Sequence, residues 1–169
     1  MRFAIPVLIL VGLVVLFAVG LQLDPTKVPS PLIGKAAPAF KLAALEGAGA
    51  LSETDLKGRP VLVNFWASWC TPCLQEHALL LEMKQAGVPI VGIVYKDTPE
   101  NAQRWLAQHG NAWQRLALDP EGKAGLDWGV YGVPETYLVD AEGVIRFKQV
   151  GPLTREVWER DLKPALAAR

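Results

Sequence analysis

The apolar run Val61–Trp66 stops at Ala67-Ser68-Trp69-Cys70-Thr71-Pro72-Cys73, and a helical pattern begins there. This junction constrains the fold more than any other feature of the 169-residue chain. Five apolar or aromatic residues interrupted only by Asn64 predict a strand buried on both faces. Residues 72–85 predict a helix whose apolar side carries Leu74, Leu79, Leu80, Leu81 and Met83. A strand feeding directly into a helix is a unit of an α/β sheet. Cys70 and Cys73, the only cysteines, therefore sit at a helix N-terminus. Unpaired N–H groups and the positive end of the helix dipole favour a thiolate over a thiol there. A crosslink that closes two residues gains little chain entropy, which argues against a mere staple and for thiol–disulfide exchange.

Other uses of the pair compete with that one. A structural disulfide fits an oxidising compartment. A zinc site could draw on Cys70, Cys73, His77 and His109, but the histidines stand far apart in sequence and finger spacing is missing. Covalent haem attachment requires His after the second cysteine, and Leu74 stands there. His77 and His109 otherwise read as bland, with His77 expected on the helix surface. Trp105, Trp113, Trp128 and Trp158 read as packing residues.

Basic and acidic residues balance at 17 each, which removes the electrostatic case for nucleic acid. Residues 3–21 carry no charge and no strongly polar side chain. As a helix they extend roughly 28 Å, against a hydrocarbon core of about 30 Å. The expectation is an uncleaved membrane anchor over residues 1–23. A cleaved signal is the alternative, with Ala18-Val19-Gly20 as a weak cleavage site. Arg2 and the terminal amine favour a cytoplasmic N-terminus with the remaining chain outside. Residues 24–37, with Pro25, Pro29 and Pro31, read as a stiff linker, and residues 38–169 as one domain.

Within that domain, residues 39–42 predict a short strand, residues 89–95 a buried one, and Thr98 caps a helix over Pro99–His109. Residues 136–139 and 144–150 predict a hairpin across Asp140-Ala141-Glu142-Gly143. A closing helix over residues 153–168 contains Pro164, which kinks or shortens it. The expected architecture is a central mixed sheet flanked by helices. Glu76 follows Cys73 by three residues and shares its helix face. A poorly solvated carboxyl there has a raised pKa and is fitted to take the proton from Cys73. A solvated helix carboxylate is the bland alternative.

Residues 61–73 resemble the active-site strand and helix of thioredoxins. The string Asp127-Trp128-Gly129-Val130-Tyr131-Gly132-Val133-Pro134-Glu135-Thr136 is similar to one subgroup, the membrane-tethered DsbE/CcmG family of cytochrome c maturation thioredoxins. Val91-Gly92-Ile93-Val94-Tyr95-Lys96-Asp97 and Cys73-Leu74-Gln75-Glu76-His77 resemble its motifs as well. The resemblance covers nearly the whole chain and implies a thioredoxin-like fold.

It also implies roles. Cys70 is the exposed attacking cysteine, Cys73 the more buried resolving one, and Glu76 the assisting acid–base group. Ordinary thioredoxins carry a buried Asp where Asn64 stands, which leaves Glu76 as the carboxylate of the site. Trp69, Thr71, Pro72, Tyr131, Val133, Pro134 and Glu135 belong to the substrate groove. The Val133–Pro134 bond is expected to be cis, with the Val133 backbone free to pair with an extended partner. Glu135 is either a second acid or a surface residue. Thr71-Pro72 reverses the Pro-Thr order of many family members and leaves the potential unassigned.

The implied activity is that of a periplasmic thiol:disulfide oxidoreductase on the inner membrane. It keeps the haem-binding cysteines of apocytochrome c reduced, directly or through another maturation thiol protein. A DsbD-type membrane reductase supplies its electrons, and no metal, flavin or nicotinamide is needed. The rivals are a general periplasmic thiol reductase, or a membrane-anchored binding module whose disulfide is structural.

Overall fold

The computed structural model describes residues 4–21 and 30–167. Helix α1 (Ala4–Gly20) is uncharged throughout, and its described side chains are exposed. It has 17 residues, and among the described residues no helix is long and apolar enough to cross a membrane. The expected anchor boundary at residue 23 and part of the linker lie outside the described residues. Residues 30–37, placed in the linker by sequence, are fixed to the domain. Gly34 and Ala37 donate backbone bonds to Ile145 and Gly143, and Ile145 donates to Lys35.

The domain is built on five strands in the order β5-β4-β3-β6-β7: β3 (Val61–Trp66), β4 (Ile90–Tyr95), β5 (Arg115–Asp119), β6 (Glu135–Val139) and β7 (Ile145–Val150). Strands β3, β4 and β5 run parallel, and β6 and β7 add an antiparallel hairpin. Strands β1 (Lys41–Ala43) and β2 (Ala50–Ser52) form a separate two-stranded ribbon set against β5, where Leu45 N–H donates to Leu116 O. Helices α2 (Thr71–Gln85) and α3 (Pro99–His109) make the parallel crossovers, and the short α4 (Lys123–Asp127) precedes β6. Thr98 caps α3 as expected, its hydroxyl accepting from Asn101 N–H at 3.3 Å.

Side chains alternate across β3, so each face of the sheet has its own core. Leu62 and Trp66 join Leu80, Met83, Trp105, Trp113 and both cysteines on one face. Val61, Val63 and Phe65 join Phe40, Leu56, Trp128 and Tyr137 on the other. Asn64 points with Leu62 and Trp66, toward α2. Gly92 on β4 makes room for this layer, because a Cβ there would come within 2.8 Å of the Trp113 ring. Trp113 stacks on Trp66 with ring centroids 4.5 Å apart.

The chain closes as helix at Arg155–Val157, widens into a π turn at Trp158–Leu162, and resumes at Lys163–Ala167. Pro164 has no N–H and its ring crowds the carbonyl four residues back. The π turn absorbs that conflict without ending the helix.

Candidate active site

Strand β3 ends at Trp66, and three residues, Ala67, Ser68 and Trp69, carry the chain to Cys70, the N-cap of α2. Cys70 and Cys73 are joined as a disulfide with Cα atoms 5.3 Å apart. The backbone N–H of Cys73 points at Cys70 Sγ, 3.1 Å away. That donor singles out Cys70: on reduction, its sulfur lies against an N–H of the first helical turn, shared with Cys70 O at 3.2 Å, where negative charge is favoured. The expected contrast in exposure is absent in this oxidised state. Cys70 is 4% and Cys73 3% exposed, because the bonded sulfurs pack together into the α2-side core. Thr71 and Pro72 between them are exposed, with Pro72 in the first helical turn.

The loop before Cys70 is held from β4. Asp97 accepts from Ser68 N–H at 2.7 Å and from Thr98 N–H at 2.8 Å. Trp69 is 57% exposed, yet its indole N–H donates to Lys96 O at 3.1 Å. Lys96 adopts φ +48°, an uncommon conformation for a residue with a Cβ. Sequence reasoning quoted Lys96 and Asp97 within a motif without giving them a role. The signal was a Lys-Asp pair directly after a buried strand.

Glu76 is fully buried one turn beyond Cys73. Its Oε1 accepts from Asn64 Nδ2 at 2.8 Å and its Oε2 from Leu153 N–H at 2.6 Å. Burial raises its pKa to about 7, and the two donated bonds offset part of that rise. The solvated alternative is thereby removed. Asn64 donates as well to Thr136 Oγ1 at 3.0 Å and accepts from Trp113 Nε1 at 3.0 Å. Asn64, which cannot serve as a base, thus holds the Glu76 carboxyl in place.

Pro134 is buried, and the Val133–Pro134 bond is cis. Phe65 pairs with Glu135 in the β3–β6 register, which sets Pro134 beside the end of β3 that leads to Cys70. Val133 packs against the core cluster containing both cysteines. Tyr131 is 72% exposed and Val130 is buried. Glu135 has no exposed surface, contrary to a surface or groove-lining placement. It lies beneath the loop in an ion pair with Lys148 at 3.0 Å.

His77 departs from its expected surface position. It is buried against Trp105 and Trp113, with Nε2 3.1 Å from His109 O. Burial lowers its pKa. The four-residue zinc set is not assembled, since the cysteines are bonded to each other and His77 is turned to the α3 end. Among the described residues no cluster of three His, Cys, Asp or Glu is arranged to hold a metal ion.

A parallel β-α-β core with an antiparallel hairpin, a cysteine pair at the N-terminus of α2 and a cis-proline beside it define a thioredoxin-like redox protein. The Redoxin family profile matches residues 32–166. The thiol:disulfide interchange protein DsbE of Allochromatium vinosum is 46% identical over 168 residues, covering 98% of this chain and 93% of that protein. The thiol:disulfide interchange protein HelX of Rhodobacter capsulatus is 48% identical over 147 residues, 86% of this chain and 84% of its own. Among solved structures, the thioredoxin domain of a thiol-disulfide oxidoreductase from Bacteroides vulgatus superposes with a TM-score of 0.68 at 25% identity, covering 81% of this chain and 99% of that one. The chain belongs to the redoxin family and, within it, to the DsbE thiol:disulfide interchange proteins.

Proposed function

We propose that this protein is a thiol:disulfide oxidoreductase that acts as a reductant in cytochrome c maturation. The observation that carries the chemistry is the Cys73 N–H aimed at Cys70 Sγ, with Glu76 fully buried one turn beyond Cys73 and its pKa raised by burial to about 7. In the reduced protein the Cys70 thiolate attacks one sulfur of a partner disulfide. A Cys70–partner bond forms, the partner's own bond breaks, and its departing sulfur takes a proton. Cys73 then gives its proton to the Glu76 carboxylate and attacks Cys70 Sγ. The mixed disulfide breaks and the second partner sulfur leaves as a thiolate. The partner has gained two electrons, and Cys70–Cys73 has become the disulfide.

Trp69, Thr71 and Pro72 on one side and Tyr131, Val133 and Pro134 on the other form the docking edge in this reading, with Glu135 beneath it. An extended partner segment pairs with the Val133 backbone. The client is the oxidised haem-binding cysteine pair of apocytochrome c, or a maturation thiol protein that serves it. A DsbD-type membrane reductase returns the electrons. The family relationship supports these assignments.

Residues 1–23 anchor the chain in the inner membrane, with the domain in the periplasm. The uncharged, exposed side chains of α1 and the unbroken apolar run of residues 3–21 support the anchor. Retention in the membrane fraction after an alkaline wash is the expected result, and release would refute it.

The deciding test is chemical. Cys70→Ser abolishes reduction of an oxidised Cys-x-x-Cys-His peptide, and Cys73→Ser accumulates a mixed disulfide at Cys70. A binding module would keep its function without Cys70, and trapping at Cys73 would reverse the order of attack. A reduction potential of about −270 mV supports a reductant, whereas one of about −120 mV turns the protein into a disulfide donor.

A further inference from the structure

Lys148 lies on β7 opposite Tyr137 of β6, and its side chain is 5% exposed. A lysine normally keeps its ammonium in water, so a buried one must find strong acceptors. Lys148 Nζ has two: Gly129 O at 2.7 Å and Glu135 Oε2 at 3.0 Å. It also stands 4.5 Å over the Tyr131 ring. Glu135 Oε1 in turn accepts from Tyr131 N–H at 2.8 Å. The Tyr137 hydroxyl lies 2.8 Å from Trp128 O and 3.0 Å from Glu135 Oε2. Burial and the Glu135 charge hold that hydroxyl protonated, so it remains a donor.

Side chains of the β6–β7 hairpin thus grip three backbone groups of one loop: Trp128 O, Gly129 O and Tyr131 N–H. The next residues are Gly132 and Val133, and then the cis-proline. A buried ion pair is a poor stability device compared with apolar packing of the same volume. Its acceptors here are loop backbone, which points to placement of that loop.

We infer that Lys148 is a positioning residue for partner recognition: through Gly129 O and Glu135 it fixes the 128–133 loop so that the Tyr131 ring and the Val133 backbone face an extended partner segment. It takes no part in the sulfur exchange. This inference rests on the docking edge proposed above.

Lys148→Met in the full chain, held in detergent, tests it. The probes are an oxidised Cys-x-x-Cys-His peptide and dithiothreitol, which has no backbone to dock. In single turnovers of the reduced protein, the half-saturating peptide concentration rises about tenfold while the limiting rate stays within about twofold, because the cost of ordering the loop moves into binding. Reduction of Cys70–Cys73 by dithiothreitol and the reduction potential stay at wild-type values. An unchanged half-saturation, or an equal loss with both probes, would overturn the inference. If Lys148→Met does not fold, the paired change with Glu135→Gln removes both charges and carries the same expectation. If the wild-type chain does not reduce the peptide, the proposed function fails by itself. The clamp is then decided by amide exchange, where Tyr131 N–H should exchange at least about tenfold faster in the variant. Unchanged exchange there would refute the clamp.

Discussion

The protein buries two glutamates completely, Glu76 on α2 and Glu135 at the start of β6, and treats them differently. Glu135 meets a cation, with Lys148 Nζ 3.0 Å from its Oε2. Glu76 is bonded only to neutral donors, the Asn64 amide and the Leu153 N–H. An ion pair fixes charge in place, whereas amide donors leave a carboxyl able to change protonation near neutrality. The carboxyl beyond Cys73 is thus suited to moving a proton, and the one under the Tyr131 loop to holding structure. Burial alone does not distinguish them; the partner does.

The largest way to break this contrast is to strip Glu135 of its cation. Lys148→Met leaves an uncompensated buried charge and should cost roughly 3–5 kcal/mol in urea unfolding. Adding Glu135→Gln should recover most of that loss. If the double variant is as unstable as the single one, the cost comes from packing and not charge.

The Glu76 side is sharpened by pH. Its folded pKa of about 7 lies above the ordinary 4.5, so the folded state binds more protons than the unfolded state between those values. Stability is therefore highest below about pH 4.5 from this group and falls as pH rises toward 7, by roughly 3 kcal/mol in total. Glu76→Gln should remove that slope. The same variant should slow the resolving step about a hundredfold, seen as a long-lived mixed disulfide. A slope that survives the substitution would assign it to another group.

Much of this arrangement was legible before any coordinates. A strand ending in Trp-Cys-x-x-Cys leaves few options, because periodicity changes from strand to helix at a fixed place. Thr98-Pro99 marked α3 with the same clarity. Strand β5 escaped notice because Arg115–Asp119 is five residues long with a charge at each end, and its burial comes from β4 and the β1–β2 ribbon. Helix α4 is five residues with Gly125 inside, too short and too flexible for local preference to declare it. In the site, the residue types of the exchange were visible. The side chains that align them were not. Asn64 and Leu153 reach Glu76, Lys148 reaches Glu135, and Trp113 reaches Asn64, all through tertiary contacts between residues well separated in sequence.

The smallest effect expected is also the most specific to the Glu76 network. An indole N–H can only donate, so Trp113 Nε1 fixes which end of the Asn64 amide it faces, namely Oδ1. The amide nitrogen is then committed to Glu76 Oε1 and Thr136 Oγ1. Trp113→Phe keeps an aromatic ring against Trp66 but removes the donor. The amide is then free to turn, and the bond that favours the Glu76 carboxylate weakens. Its pKa should rise further, by about one unit, the scale of one hydrogen bond to a charged group. Carbon-detected titration of the Glu76 carboxyl measures this directly. A rise would join Trp113 to the acid–base machinery through Asn64. An unchanged midpoint would mean that Thr136 and Glu76 orient the amide by themselves, and that Trp113 contributes packing alone.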